Sequence, residues 1–244
     1  MSDINDPLLF SCILLTVKVA GLAAAVAGLL GVLTAWFLSG RRAPARSLFF
    51  RVIDSLCALP LVLPPTVIGY CLILLLGRRG IIGQWLAEYG INLIFSWQGA
   101  VVAATVVIFP LCYRSARAAL ESVDHTLEDT ARTLGATEAR VFFRISLPLA
   151  RRGIFAGITL AFARGMGEFG ATLMIAGNLP GRTQTLSLAV YDAFQSGNDH
   201  RALILVLVAS GVCASLLVIA ETVGGMGLER VSPAMRGGTR AAQS

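Results

Sequence analysis

The sequence predicts an all-α polytopic membrane protein with five transmembrane helices and one large charged loop. Three observations lead there. Hydrophobic residues make up 56% of the 244 positions and charged residues only 14%, against about a quarter charged in an ordinary soluble domain. The apolar residues are gathered into five runs that suit a bilayer core, which takes about 20 residues as a helix. The arginines sit in short clusters between those runs, whereas a polyanion-binding domain carries its basic residues on one solvated face with aromatics interleaved. The formal charge of +6 is therefore read as membrane topology and not as a nucleic-acid footprint.

The first run, residues 8–38, is longer than a span requires. It is expected to begin in the interface, which leaves Lys18 near the outer surface with its amine snorkelling to water. Asp3 and Asp6 stand where a secretory signal would be basic, and the run is too long for a cleaved leader. The second run, residues 52–76, contains Pro60, Pro64 and Pro65. Each proline deletes an amide donor and crowds the carbonyl four residues earlier. Carbonyls freed in hydrocarbon must face protein or water, so Pro64, Pro65 and the hydroxyl of Thr66 are candidates for a translocation path, with a simple kink as the alternative.

Ile81, Ile82, Trp85, Leu86 and Tyr89 recur at helical spacing and predict a short helix in the headgroup layer. The third run, residues 97–113, is the shortest. The fourth, residues 153–177, holds the only central charges, Arg164 and Glu168. An intramembrane charge costs roughly 2.5 to 3.5 kcal/mol on insertion scales, and spacing of four residues lets these two neutralise each other. They are either a structural ion pair or, with Thr172 nearby, part of an anion path. Gly165, Gly167 and Gly170 would admit a close neighbouring helix. Leu186, Val190 and Phe194 predict a second interfacial helix before the fifth run, residues 202–223.

Arginine placement sets the orientation, because positive loops stay cytoplasmic. Fourteen arginines lie after run one, between runs three and four, and after run five, whereas the other face holds four. The N-terminus is then outside and the C-terminus inside, and the loop at 121–152 is cytoplasmic. Within it, Leu127, Ala131 and Leu134 line one face of a helix whose other face carries Glu128, Asp129 and Arg132. Gly135 interrupts that helix, Thr137 caps a second one with Glu138 in its first turn, and Pro148 is expected to end it. Val141, Phe142 and Ile145 form its apolar side. Periodicity alone fits a coupling knob and an amphipathic hairpin resting on lipid equally well.

Of the 20 basic residues, all but Lys18 are arginine. A P-loop requires a Gly-Lys-Ser/Thr step, and Lys18 follows Val17, so no nucleotide site of that kind exists here. The cysteines, at 12, 57, 71, 112 and 213, lie in apolar sequence without a C-x-x-C pair, and they read as small packing residues. His125 and His200 lack ligand-like neighbours, so neither a metal site nor a catalytic residue is expected.

The segment from Asp129-Thr-Ala131 through Gly135 to Ile145-x-Leu147-Pro148 resembles the EAA-x3-G-x9-I-x-L-P loop of permease subunits in bacterial ABC importers. Asp129 and Thr130 replace the usual Glu and Ala. From Leu59 to Tyr191 the chain looks like the molybdate/sulfate branch of that family. The Pro-rich run, Gly77-Arg-Arg-Gly80, Gly167-Glu-Phe-Gly-Ala-Thr172, Gly177-Asn-Leu-Pro-Gly181 and Thr183-Gln-Thr185 follow in order, and the Phe169-Gly-Ala variant favours molybdate. The resemblance implies a type I importer permease fold in a single transmembrane domain over residues 1–244, set in the bacterial inner membrane among lipid. It implies a second copy of the chain, two ATP-binding cassette subunits that bind ATP and Mg, a periplasmic oxyanion-binding protein, and no cofactor in this chain. It also implies that Glu128, Asp129, Ala131, Leu134, Gly135, Ile145, Leu147 and Pro148 belong to the loop that grips the ATPase. Sulfate, thiosulfate or tungstate are alternative cargoes. An ATPase-independent anion channel and an intramembrane enzyme built on Arg164 and Glu168 are rivals of other classes.

Overall fold

A computed structural model describes residues 7–39 and 48–223. The arginines at 41, 42, 46, 230, 236 and 240, on which the orientation partly rests, lie outside the described residues, as do Asp3 and Asp6. The described chain is helical throughout its regular structure. Helices α1 (Pro7–Leu38), α5 (Trp97–Glu121), α8 (Leu147–Met166) and α11 (Asp199–Val223) are the long ones. Between them run α2 (Leu48–Val62), α3 (Pro65–Leu76), α4 (Ile81–Glu88), α6 (His125–Thr133), α7 (Glu138–Val141), α9 (Gly170–Ala176) and α10 (Leu186–Gln195). Among the described residues four helical stretches are long and apolar enough to cross a membrane, and α2 with α3 makes a fifth span if that bent pair is counted as one.

The bundle is built on α1, α5 and α8. Val19, Ala23, Ala24 and Ala27 of α1 meet Ala100, Ala104 and Ile108 of α5 and Ala161 of α8. Small side chains let the axes approach, which replaces the missing hydrophobic drive between helices in lipid with close packing. Lys18 lies 3.5 Å above the Trp97 ring, a cation–π contact at the level where α5 begins. That fits an interfacial position for Lys18 and leaves the first turns of α1 projecting beyond the span. Helix α11 is the least embedded, with Leu203, Leu207, Val218 and Ile219 on the surface.

Three sequence expectations need correction, and a fourth, the break expected at the prolines of the second run, is present as more than a kink: α2 and α3 meet at 114°. Pro60 is tolerated inside α2, and the chain breaks only where Pro64 and Pro65 remove two successive donors. Pro65 then opens α3, the first-turn position that suits its fixed φ.

The fourth run is not a single span to residue 177, because α8 ends at Met166 and α9 begins at Gly170. Glycine spends the most backbone entropy in a helix, and Gly165, Gly167 and Gly170 flank a carboxylate that caps the new helix.

Pro148 does not end the loop's second helix. α7 passes through a π-helical turn, Phe142–Ser146, straight into α8, with Pro148 in the first turn of α8. A π turn widens the register, so the Pro148 ring avoids the carbonyl it would meet in a regular helix.

The helix at 186–195 is not confined to the interface either. Leu186, Ala189 and Ala193 pack with Leu9 and Cys12 of α1 and Leu205 of α11, while Asp192, Phe194 and Gln195 stay outside. By contrast α4 does keep Ile81, Trp85 and Tyr89 exposed.

Candidate functional site

The loop between α5 and α8 folds into a small two-helix knob at one end of the bundle. Asp124 caps α6 by accepting the Thr126 amide at 2.8 Å, and that hydrogen bond holds its carboxyl below the usual range. Helix α6 ends in a Schellman turn: the Ala136 amide reaches the Ala131 carbonyl and the Gly135 amide reaches Arg132. Gly135 sits at φ +82° with nothing near the position a Cβ would take. Its glycine is thus required by backbone conformation and not by crowding. Thr137 caps α7 through the Arg140 amide, as the sequence predicts.

Charge organises the inside of the knob. Arg132 donates from Nε to Glu138 at 2.8 Å, from Nη1 to Asp129 at 2.8 Å, and from Nη2 to Glu128 at 3.3 Å. Glu138 and the other carboxylates hold its guanidinium more firmly protonated than usual. Ser146 Oγ donates to Glu128 Oε1 at 2.6 Å, tying α6 to the π turn. Glu128 and Asp129 therefore brace the knob internally. Arg132 is the residue sequence reading undervalued. Its position three or four residues from Glu128 and Asp129 was visible, but its reach across Gly135 to Glu138 was not.

The apolar residues divide into two sets. Val141 and Phe142 are buried against the span ends, where Phe142 lies 4.8 Å from the Trp36 ring. Leu127, Leu134 and Phe143 are exposed, Leu134 at 83%, so the knob presents an apolar tip. Phe143 was absent from the sequence-derived set, although it follows Phe142 directly. Ala131, Ile145 and Leu147 are half-buried and Pro148 is exposed. A cavity of about 280 Å³ lies beneath the knob, between Trp36 and Ser39 of the α1 end, Glu121, and the Glu128, Arg132, Glu138 cluster.

The second candidate region is where the two interrupted spans meet. Gly170 at the start of α9 faces Pro65 and Thr66, with an added Cβ only 3.1 Å from the Pro65 Cβ. Gly69 likewise faces Ala171 and Met174. Helices α3 and α9 thus run side by side with their N-termini together, Pro64 and Thr66 remaining exposed. Glu168 is 2% exposed by side chain; it accepts the Ala171 amide at 3.1 Å and Arg164 Nη1 at 3.1 Å. Its carboxylate is satisfied from both sides. Arg164 is 42% exposed and projects from the surface of the chain near Gly165, which packs on Ile108, eleven residues into α5. At 1.5 Å per residue that is about 16 Å below Trp97, half the depth of a bilayer core.

So Pro65 and Thr66 meet the start of α9 at Gly170, Glu168 caps that same start and holds Arg164, and Thr172 is buried in the packing of α9. Gly170 does admit a close neighbour, whereas Gly165 leaves only ordinary contact distance to Ile108 and Ala20 and Gly167 meets nothing beyond its own turn.

The segment 177–185 is a structural knot. Gln184 donates to Asn178 at 3.0 Å, Asn178 to Asp192 at 3.2 Å, and the Leu186 amide to Thr16 Oγ1 at 2.9 Å. The first two tie the segment to itself and to α10, and the last pins α10 to α1.

Comparison with known proteins agrees with this geometry. Over 223 residues the chain is 44% identical to the molybdenum transport system permease protein ModB of Escherichia coli (strain K12), covering 91% of this chain and 96% of that one. It is 35% identical over 211 residues to the sulfate transport system permease protein CysW of Synechocystis, covering 86% and 75%. The fold matches a chain of the MetNI methionine ABC transporter, solved in inward-facing conformations, with a TM-score of 0.69 at 17% identity over 89% of this chain and 95% of that chain. Residues 27–227 match the family described as the inner membrane component of binding-protein-dependent transport systems. With four-fifths of its length inside that family and a knob set on a bundle of spanning helices, this chain is a membrane-embedded permease and belongs to that family.

Proposed function

We propose that the chain is the permease subunit of an ATP-driven importer that carries molybdate across the inner membrane by alternating access. The observation that carries this reading is the 44% identity to a molybdenum permease along nearly the whole length of both chains. The placement of the arginines favours an N-terminus outside and the knob in the cytoplasm. In the proposed assembly two copies line one path, each knob seats its apolar tip of Leu127, Leu134 and Phe143 in an ATPase subunit, and a periplasmic protein delivers the oxyanion. ATP and Mg are bound by the ATPase subunits, and this chain converts their closure into rocking of the spans.

Arg164 supports an anionic cargo, because its guanidinium is half-exposed while its ion-pair partner Glu168 is buried, which turns the positive end of the pair outward. An ion pair with its cation outward suits passage, which needs attraction weak enough to release. The second reading, a sulfate permease, is favoured by the similarity to CysW.

Uptake of labelled molybdate by cells producing the chain with its ATPase and binding protein tests the proposal. ATP-dependent uptake that survives excess sulfate is expected. Molybdate uptake abolished by excess sulfate, with ATP-dependent uptake of labelled sulfate that excess molybdate does not reduce, would assign the cargo to sulfate.

A further inference from the structure

Asp54 is the only acidic residue of α2; its side chain is 43% exposed, yet it is bound from α5 on its inner side. Its Oδ1 accepts from Tyr113 Oη at 2.6 Å and from Arg117 Nη1 at 2.6 Å. Arg117 Nη1 also reaches Tyr113 Oη at 3.1 Å, and its Nε donates to Glu121 Oε1 at 2.7 Å. Tyr113 is completely buried. Glu121 ends α5 and lines the cavity beneath the knob. The polar chain therefore runs from the middle of α2, through α5, to the base of the knob. Around it Phe50, Ile53 and Cys57 of α2 pack with Tyr113, Leu120 and Phe142. Helix α2 rests on the bundle chiefly through α5.

We propose that Asp54, Tyr113 and Arg117 form a joint that passes movement of the knob to α2, and so to the break at Pro64 and Pro65. The inference rests on the importer reading and names positioning residues that need not touch cargo. Apolar packing is non-directional, so a greasy contact alone would let α2 slide or roll on α5. A carboxylate shared between a tyrosine hydroxyl and a guanidinium fixes both distance and rotation. The 114° break then frees α2 to move as a lever without dragging α3.

The test uses the complete complex, with the native cysteines replaced and a single cysteine introduced as Val62→Cys at the end of α2, where the side chain is exposed. Thiol labelling is compared with and without ATP. Asp54→Asn keeps shape and an acceptor but loses the charge, and Tyr113→Phe removes only the hydroxyl. In both variants ATP hydrolysis is expected to stay within about twofold, while the ATP-dependent change in labelling shrinks at least about fivefold and Asp54→Glu restores most of it. A normal ATP-dependent change in both variants would overturn the joint alone. Proportional loss of ATP hydrolysis, labelling response and assembled complex would reduce these residues to a structural role and equally overturn it. A chain that copurifies with no ATPase would overturn the importer reading together with the joint.

Discussion

Arg132→Met removes the charge that three carboxylates share inside the knob while keeping the length of the side chain. Arg132 is 30% exposed, and its partners Asp129 and Glu138 are 38% and 43% exposed. At that exposure each ion pair contributes about 0.2–1 kcal/mol. Glu128 is more enclosed, but its contact is the longest of the three. The loss sums to about 1–2 kcal/mol, enough to raise the population of an opened knob about 5- to 30-fold. Burial of Val141 and Phe142 against the span ends is untouched, so the chain stays assembled and only the joint between α6 and α7 loosens. Amide hydrogen exchange read on peptides covering residues 131–141 measures this directly, with α5 peptides as the control. Exchange in the knob should accelerate by that factor while α5 stays protected. A change of less than about twofold would refute the view that Arg132 organises the knob, and acceleration in α5 as well would show that the substitution unfolds more than the loop.

Gly135→Ala should destabilise the knob by about 1–2 kcal/mol through its left-handed backbone, and Gly135→Asn by distinctly less; equal effects of the two on the same exchange measurement would show that crowding, not φ, governs the site. Gly69→Ala places a methyl 2.7 Å from the Met174 Cβ and should cost about 1–3 kcal/mol by overpacking α3 against α9, read as a lower thermal midpoint in detergent; an unchanged midpoint would contradict that close approach. The Asp124 carboxyl titrates lower when folded, so its capping contribution is present above the ordinary carboxylate range of about 4 and lost as pH falls through the folded value. A spin label at Leu127→Cys should therefore become more mobile on acidification in the parent chain and less so with Asp124→Asn; identical pH profiles would rule the cap out as the cause.

Much of the site was legible because the signals are local. Thr137 as a cap, Gly135 as an interruption and the α6 stripe follow from the residues themselves and their spacing. The Pro64-Pro65 pair announced an interruption because φ and the missing donors are properties of proline wherever it stands. What misled was the assumption that the strongest breaker acts alone. Pro60 and Pro148 are both accommodated, the first inside α2 and the second by the π turn before it, whereas glycine-rich Gly165 to Gly170 stops α8 without any proline. The helix at 186–195 was misplaced for a related reason. Its amphipathic stripe is the same whether the apolar side meets lipid or α1, and only Cys12, Leu9 and the Thr16 hydroxyl show which.

By itself the sequence determined the class, the approximate places of the apolar runs, the position of the knob and the lack of a P-loop in this chain. Hydropathy, run length and the lack of a Gly-Lys-Ser/Thr step are readable without knowing what packs on what. Tertiary structure alone decided that the breaks at Pro64 and Gly167 to Phe169 lie against each other, that Arg132 serves three carboxylates, and that Asp54 meets Tyr113 and Arg117. The last pairing joins residues 59 and 63 positions apart. No periodicity reaches that far, because the approach of two helices is set by the fit of their whole surfaces and not by the pattern along either one.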